Sequence, residues 1–241
     1  MSSLENGLRA LQLFGADRTV LRVNELSVEL GIPKSSVSRL MASLARYGFV
    51  EKEPGGGYQV GVASLVLRES YFANRSLFRE IDEMLFRLVT RFPFTALAAT
   101  LSGSSAIIVN TKQGIHPLRV VRAVGTSLPA EETATGTCLL ARLDDNSAKA
   151  RIEQSGRQVE PDFLDRMNQC RTQGYLFDVS RRTKGVGSIA SAVISRDGDG
   201  IAFCLTYPMS EGEPLQQEMV ETVLEEAREI GGRFGDFYWA N

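Results

Sequence analysis

The chain predicts an α+β fold in two domains: a small helical module closed by a hairpin, and a larger domain with helices before and after its strands. Three observations predict it. Residues 4–46 carry three successive stretches with apolar residues three and four apart, each broken near a glycine. Phe49-Val50-Glu51-Lys52-Glu53, Pro54-Gly55-Gly56-Gly57 and Tyr58-Gln59-Val60 read as strand, turn and strand. From Phe94 onward, strand-like runs stand between helical stretches without strict alternation. The 241 residues, 43% hydrophobic, suffice for two cores. The boundaries expected are a module over 1–61, a connecting helix over 62–75 and the larger domain over 76–241.

In the first module, Leu4, Leu8, Leu11 and Phe14 mark a helix that Gly15 would stop, and 17–21 reads as a polar connector. Asn24 is the expected N-cap of a second helix through Leu26, Val28 and Leu30 to Gly31. Pro33 suits the first position of a third helix, which runs to Arg46. At about 100° per residue, Val37, Leu40, Met41 and Leu44 share one face, and Ser35, Arg39, Ala42 and Arg46 the opposite one. A face of hydroxyls, guanidinium groups and one small residue, with Lys34 at its open end, is what a helix needs in a major groove roughly 12 Å wide. An ordinary amphipathic helix shows the same spacing. The short helix before it and the hairpin after it make the set a winged helix-turn-helix. Ser36 and Ser38 flank the polar face, Arg18, Arg22 and Lys52 are candidates for the DNA backbone, and Gly56 sits at the wing tip.

Beyond the module, Val62, Leu65, Val66 and Phe72 mark the connecting helix, although a core-packing helix would show the same stripe. Leu77, Ile81, Met84, Leu85 and Leu88 mark the next helix, which Pro93 ends. Strands are expected over 95–101, 106–111 and 118–124, with Ser102-Gly103-Ser104 as a hairpin turn. Helices follow over 134–143, 145–154 and 161–172, then strands over 187–195 and 200–207. A long helix runs from Glu211.

The net charge of −2 argues against a protein that coats nucleic acid indiscriminately and leaves room for a local basic patch. Cys138, Cys170 and Cys204 are odd in number, and with the single His116 they match no standard zinc spacing. Free thiols in a reducing cytoplasm are the simple reading, and no signal segment or membrane span is evident. No cofactor or metal is expected. The sequence has no G-x-S-x-G elbow, no GxxxxGK[ST] loop and no GxGxxG after a strand, which argues against an enzyme. A regulator responding to redox or metal through Cys138, Cys170 or Cys204 remains the alternative.

Gly31-Ile32-Pro33-Lys34-Ser35-Ser36-Val37-Ser38-Arg39-Leu40 resembles the recognition-helix segment of the IclR family of bacterial transcriptional regulators, and Tyr47-Gly48-Phe49-Val50-Glu51 with Tyr58-Gln59-Val60-Gly61 resembles its wing. Leu128-Pro129 with Ala134-Thr135-Gly136, Gly174-Tyr175 with Asp178, and Gly185-Val186-Gly187-Ser188-Ile189-Ala190 answered by Ala202-Phe203-Cys204-Leu205-Thr206 extend the likeness over nearly the whole chain. The resemblance implies a winged helix-turn-helix, a linker helix and a GAF-like effector-binding domain. It also implies a homodimer, or a tetramer of two dimers, on a palindromic double-stranded DNA operator. The effector would be a small organic acid or aromatic metabolite. Leu128, Ala134, Gly136, Val186 and Ile189 are the expected cavity lining, and Asp178, Ser188, Cys204 and Thr206 the polar contacts. The basic run Arg181-Arg182-Thr183-Lys184 could attract an anion. Three departures fall around this region: Glu131 and Glu132 where the family often has His, Thr137 where it often has Lys, and Ile189-Ala190-Ser191-Ala192 in place of Ile-Ala-Ala-Pro.

Overall fold

The computed structural model describes residues 2–15, 18–73, 75–117, 120, 122–179, 183–211 and 213–240. The chain divides into two compact units, Met1–Asn74 and Arg75–Asn241. Among the described residues no helix is long and apolar enough to cross a membrane.

The first unit contains α1 (Ser3–Gln12), β1 (Val20–Leu21), α2 (Val23–Leu30), α3 (Lys34–Arg46), β2 (Val50–Glu53), β3 (Gly57–Val60) and α4 (Ala63–Ala73). Gly31 ends α2 at φ 66°, a left-handed conformation that glycine adopts without a Cβ clash. Its neighbour is pinned in both directions: the Ile32 N–H donates to the Ser27 carbonyl, and the Ser27 hydroxyl donates to the Ile32 carbonyl. This tight turn lets α3 leave at an angle to α2. Pro33 is the N-cap of α3 and stands one position before the first helical residue. Val37 and Met41 are fully buried with Leu26 and Leu30 of α2 and Leu21 of β1. Leu40 and Leu44 pack half-buried against the same cluster.

Four sequence expectations change here. Leu4 and Leu8 are exposed, because α1 turns Asn6, Gly7 and Ala10 inward. A Cβ on Gly7 would lie 3.5 Å from the Leu40 side chain, an ordinary contact distance, so Gly7 faces α3. Gly15 stands beyond the end of α1 and forms a bridge with Arg18. The N-cap of α2 is Arg22, whose backbone N–H donates to the Glu25 carboxylate, and Asn24 lies inside the first turn. The end of the supposed connector is β1, where Val20 pairs with Gln59 and Leu21 with Tyr58, making the wing a three-stranded sheet of order β1-β3-β2. Helix α4 forms where the connecting helix was expected but buries none of its residues within its own unit.

The second unit contains α5 (Ser76–Arg91), β4 (Thr95–Ser102), β5 (Ser105–Lys112), β6 (Ser127–Pro129), a 3-10 turn (Ala130–Glu132), α6 (Ala134–Leu140), α7 (Asp145–Glu153), α8 (Phe163–Gln173), β7 (Leu176–Val179), β8 (Val186–Ile194), β9 (Gly200–Pro208) and α9 (Glu213–Phe234). The strands form one antiparallel sheet of order β6-β5-β4-β9-β8-β7. Part of the strand expected over 118–124 lies outside the described residues. Its described positions are not in a strand, and the edge is supplied by β6 instead. Strand β7 was not anticipated from the sequence.

Side chains alternate across a strand, so the sheet has two different faces. Val193, Ile201, Phe203, Leu205 and Tyr207 point one way, and all are buried where α5 and α9 pack. Ala99, Ala106, Ala190, Ala192, Ala202 and Cys204 point the other way, towards the cluster of α6 and α8. This small-residue face admits α6 closely. Gly136, in its first turn, leaves no room for a side chain: a Cβ there would collide with the Ala130 backbone and lie 2.6 Å from the Thr133 hydroxyl oxygen. Thr133 is the N-cap of α6, its hydroxyl oxygen accepting from the Gly136 N–H at 3.0 Å.

Two substitutions test these cores. Met41→Ala should destabilise the first unit by about 2–5 kcal/mol, read by urea unfolding followed by circular dichroism. Gly136→Ala should cost about 1–3 kcal/mol through overpacking, read as a lower thermal midpoint of the second unit.

Candidate functional site

The first site is the outer face of α3 with the wing beside it. Lys34, Ser35, Ser38, Arg39, Ala42 and Arg46 are all exposed, and Ser36 is half-buried. The helical period that buries Val37 and Met41 therefore leaves the opposite face free. Lys52 is exposed on β2, opposite Tyr58 in the register, and Gly56 is exposed in the wing turn at φ 91°. Among the described residues none of Lys34, Arg39, Arg46 and Lys52 is ion-paired, so their charges are available to an anion. Arg18 differs. Its guanidinium lies 3.1 Å from Glu29 and 3.9 Å from Glu25, so it braces α2 and is a poor candidate for phosphate. Arg22 is exposed, with only a long 3.8 Å approach to Glu25.

The second site is a cavity of about 90 Å³ on the small-residue face of the six-stranded sheet. The register explains its polar row. Asp178 pairs with Ser188 across β7 and β8, and Ser188 pairs with Thr206 across β8 and β9. Directly opposed residues share a face, so three polar side chains from three strands stand side by side. The Ser188 and Thr206 hydroxyl oxygens are 3.5 Å apart, and the Cys204 sulfur lies 3.6 Å from that of Thr206. Burial pushes the Cys204 thiol up to about 12, so the cavity holds it as a neutral group. Leu128, Ala134 and Val186 supply apolar wall, as the sequence predicts.

Two expected contacts are not in this cavity. Gly136 is enclosed by Ala130 and Thr133, and its N–H is used by the α6 cap. Ile189 lies on the opposite face of β8, one residue out of phase with Ser188, where period-2 alternation must put it. The acidic pair that departs from the family pattern splits. Glu131 is buried and its carboxylate accepts from the Arg157 guanidinium at 2.7 Å, so it ties the 3-10 turn in place. Glu132 lines the cavity. Thr137 is fully buried, with its hydroxyl 3.3 Å from the Arg166 guanidinium. Arg181 and Arg182 of the basic run lie outside the described residues, while Thr183 reaches the cavity.

The sequence reading missed Arg122, Thr133 and Thr135, which also line the cavity. Arg122 is half-buried and, among the described residues, makes no ion pair. It sits in the stretch read as a strand, where nothing in the local pattern marks a wall residue. The lining thus combines one guanidinium, two carboxylates (Glu132 and Asp178), several hydroxyls and apolar walls, which suits a small organic molecule with both polar and apolar groups.

Residues 3–54 match the family model of the IclR helix-turn-helix domain, and residues 69–231 match that of the bacterial transcriptional regulator IclR C-terminal domain. The chain is 24% identical to the transcriptional repressor IclR of Escherichia coli over 98% of this chain and 90% of that protein. It is 25% identical to the HTH-type transcriptional repressor AllR of the same species over 97% and 90%. Among solved structures, the IclR transcriptional regulator from Alicyclobacillus acidocaldarius superposes with a TM-score of 0.82 at 18% identity, over 99% of this chain and 98% of that one. An IclR homologue from Microbacterium hydrocarbonoxydans, complexed with 4-hydroxybenzoate, gives 0.81 at 17% identity, over 97% and 99%. With two domain models matched in order, and the second alone spanning more than half of its length, the chain belongs to the IclR family of bacterial transcriptional regulators.

Proposed function

We propose that the chain is a cytoplasmic, sequence-specific DNA-binding regulator whose operator binding or activity changes when a small organic acid or aromatic metabolite enters the cavity beside Asp178, Ser188 and Thr206. The observation that carries this reading is the exposed, unpaired Ser35/Arg39/Ala42/Arg46 face of α3 beside a glycine-tipped wing. Arg39 is placed to offer a bidentate fork to a guanine edge, worth about 1–3 kcal/mol of discrimination. Arg46, Lys34 and Lys52 meet phosphate and fix the register. Residues 1–61 serve as the DNA-binding module, 62–75 as a linker and 76–241 as the effector domain. The curated relatives named above are repressors, which favours repression.

One short recognition helix makes few base contacts, so a dimer on a palindromic site supplies the missing affinity. Leu65, Val66 and Leu67 on α4 and Leu4 and Leu8 on α1 are apolar and more than half exposed, which supports a homodimer, or a tetramer of two such dimers.

The cavity volume of about 90 Å³ favours a small ligand over a bulky one. Arg122 anchors its carboxylate, and the Ser188 and Thr206 hydroxyls read its other polar atoms. The relative holding 4-hydroxybenzoate is consistent with this size and charge.

In mobility shifts against DNA upstream of its own and neighbouring genes, Arg39→Ala should weaken specific binding about 10-fold or more with an unchanged circular dichroism spectrum. Unchanged binding would refute the assignment of α3. For the cavity, calorimetry with a panel of small carboxylates including 4-hydroxybenzoate should find a ligand that Arg122→Ala binds about 10–100-fold more weakly. Arg122→Lys should recover part of that loss.

A further inference from the structure

A second cavity opens one turn further along α6. It has a volume of about 290 Å³, and its walls include Cys138, Arg142, Cys170, Arg171, Tyr238 and Trp239. Cys138 on α6 and Cys170 on α8 meet side by side in its wall, their sulfur atoms 3.4 Å apart. Both are buried free thiols, 2% and 7% exposed. Buried cysteines commonly pack as small apolar groups. These two differ because the pair lies against open space, and the half-buried Arg171, Tyr238 and Trp239 lead from that space to the surface.

The roof is held by specific contacts. The Arg142 guanidinium pairs with Asp236 and lies 4.6 Å above the Tyr238 ring. The Tyr238 hydroxyl donates to the Arg171 carbonyl at 3.1 Å, and the Trp239 indole N–H donates to the Ala192 carbonyl at 3.0 Å. The 236–239 segment therefore encloses the thiols while leaving a cavity wide enough for a small polar molecule.

We propose that Cys138 and Cys170 form a reversible dithiol–disulfide site, oxidised by a small hydroperoxide that enters this cavity. One thiol, as its thiolate, attacks the distal peroxide oxygen. The O–O bond breaks, and the alcohol (water, for hydrogen peroxide) leaves with a proton. The resulting sulfenic acid is attacked by the second thiol, its hydroxyl departs as water, and the S–S bond forms. Two thiols lose two electrons and the peroxide is reduced by two. Bringing the sulfur atoms from 3.4 Å to bonding distance needs a closure of about 1.4 Å. That closure draws α6 towards α8. Because Ala134 and Thr135 of α6 line the other cavity, it also moves a wall of the effector site, a consequence that rests on the function proposed above. Burial, with Cys170 beside it, pushes the Cys138 thiol well above its ordinary pKa, so its thiolate population is small and its oxidation is slow and rises with pH, while the enclosure by Tyr238 and Trp239 limits entry to small reagents.

The test uses the reduced full chain. After treatment with hydrogen peroxide, free thiols are counted with Ellman's reagent in denaturant, and peptides are mapped by mass spectrometry. The count should fall from three to one, with a Cys138–Cys170 cross-linked peptide, Cys204 still free and the original count restored by dithiothreitol. Cys138→Ser and Cys170→Ser should each abolish the intramolecular cross-link. Retention of three thiols, a bridge through Cys204, cross-linking between chains, or oxidation beyond recovery by dithiothreitol would overturn the proposal. Hydrogen exchange at 134–140 should change on oxidation, and no change would overturn the coupling to α6. None of these readouts depends on DNA or effector binding, so failure here and failure of the regulatory reading are separate results.

Discussion

The second unit depends on one asymmetry of its sheet: large side chains on one face and small ones on the other. Strands buried on both faces need helices on both faces, and the size of the side chains decides how near each helix comes. Phe203, Leu205, Tyr207 and Ile201 fill the space under α5 and α9. Ala190, Ala192, Ala202 and Ala99 fill little, so α6 settles deep against the sheet and is wholly buried. Where α6 ends its coverage, the same small face leaves the cavity. Packing and binding thus have a common cause: the alanines that admit the helix also leave room for a ligand beside it.

The first unit resolves a different demand, because α3 must be held rigidly yet give away one whole face. Val37 and Met41 take the core, and the αL turn at Gly31 sets the angle at which the free face emerges. A helix anchored by two buried residues on one side can carry Arg39 and Arg46 on the other without an acidic partner. Arg18 and Glu29 show the contrast within the same unit, since a paired guanidinium works as a brace.

Much of this was legible in the sequence, and the failures have physical reasons. Helical period alone separated the faces of α3, because Val37, Met41, Arg39 and Arg46 obey it without conflict. It misread α1, where the leucine stripe of Leu4 and Leu8 lies outside and Asn6, Gly7 and Ala10 make the contact, because apolar spacing alone does not say which face a helix buries. Strand β1 was missed because two residues carry too little pattern and its partner β3 is far along the chain, and β7 because Leu176-Phe177-Asp178-Val179 follows directly on α8 without a clear apolar alternation. In the cavity, residues on alternating strand positions were placed well, as Asp178, Ser188 and Thr206 illustrate. Gly136 and Ile189 were misplaced because a motif names neighbours in sequence, whereas a cavity takes every second residue of a strand and spares the close-packed turn of a helix.

Helix α6, like strand β8, contributes to the walls of both cavities. Its first turn, capped by Thr133, forms part of the wall of the cavity beside Ser188 and Thr206. Its last turn carries Cys138 towards Cys170 and leads directly into Arg142, which grips Asp236 near the C-terminus. Asp236 in turn accepts from the Ile194 N–H of β8 at 2.8 Å, so the C-terminal segment is fastened to the same strand whose other end carries Ser188. A short, wholly buried helix cannot shift at one end alone, because close packing transmits a displacement along it. On the function and the dithiol chemistry proposed above, a ligand against Ala134 and a bond at Cys138 would act on the same short helix, and each would bias the position the other encounters.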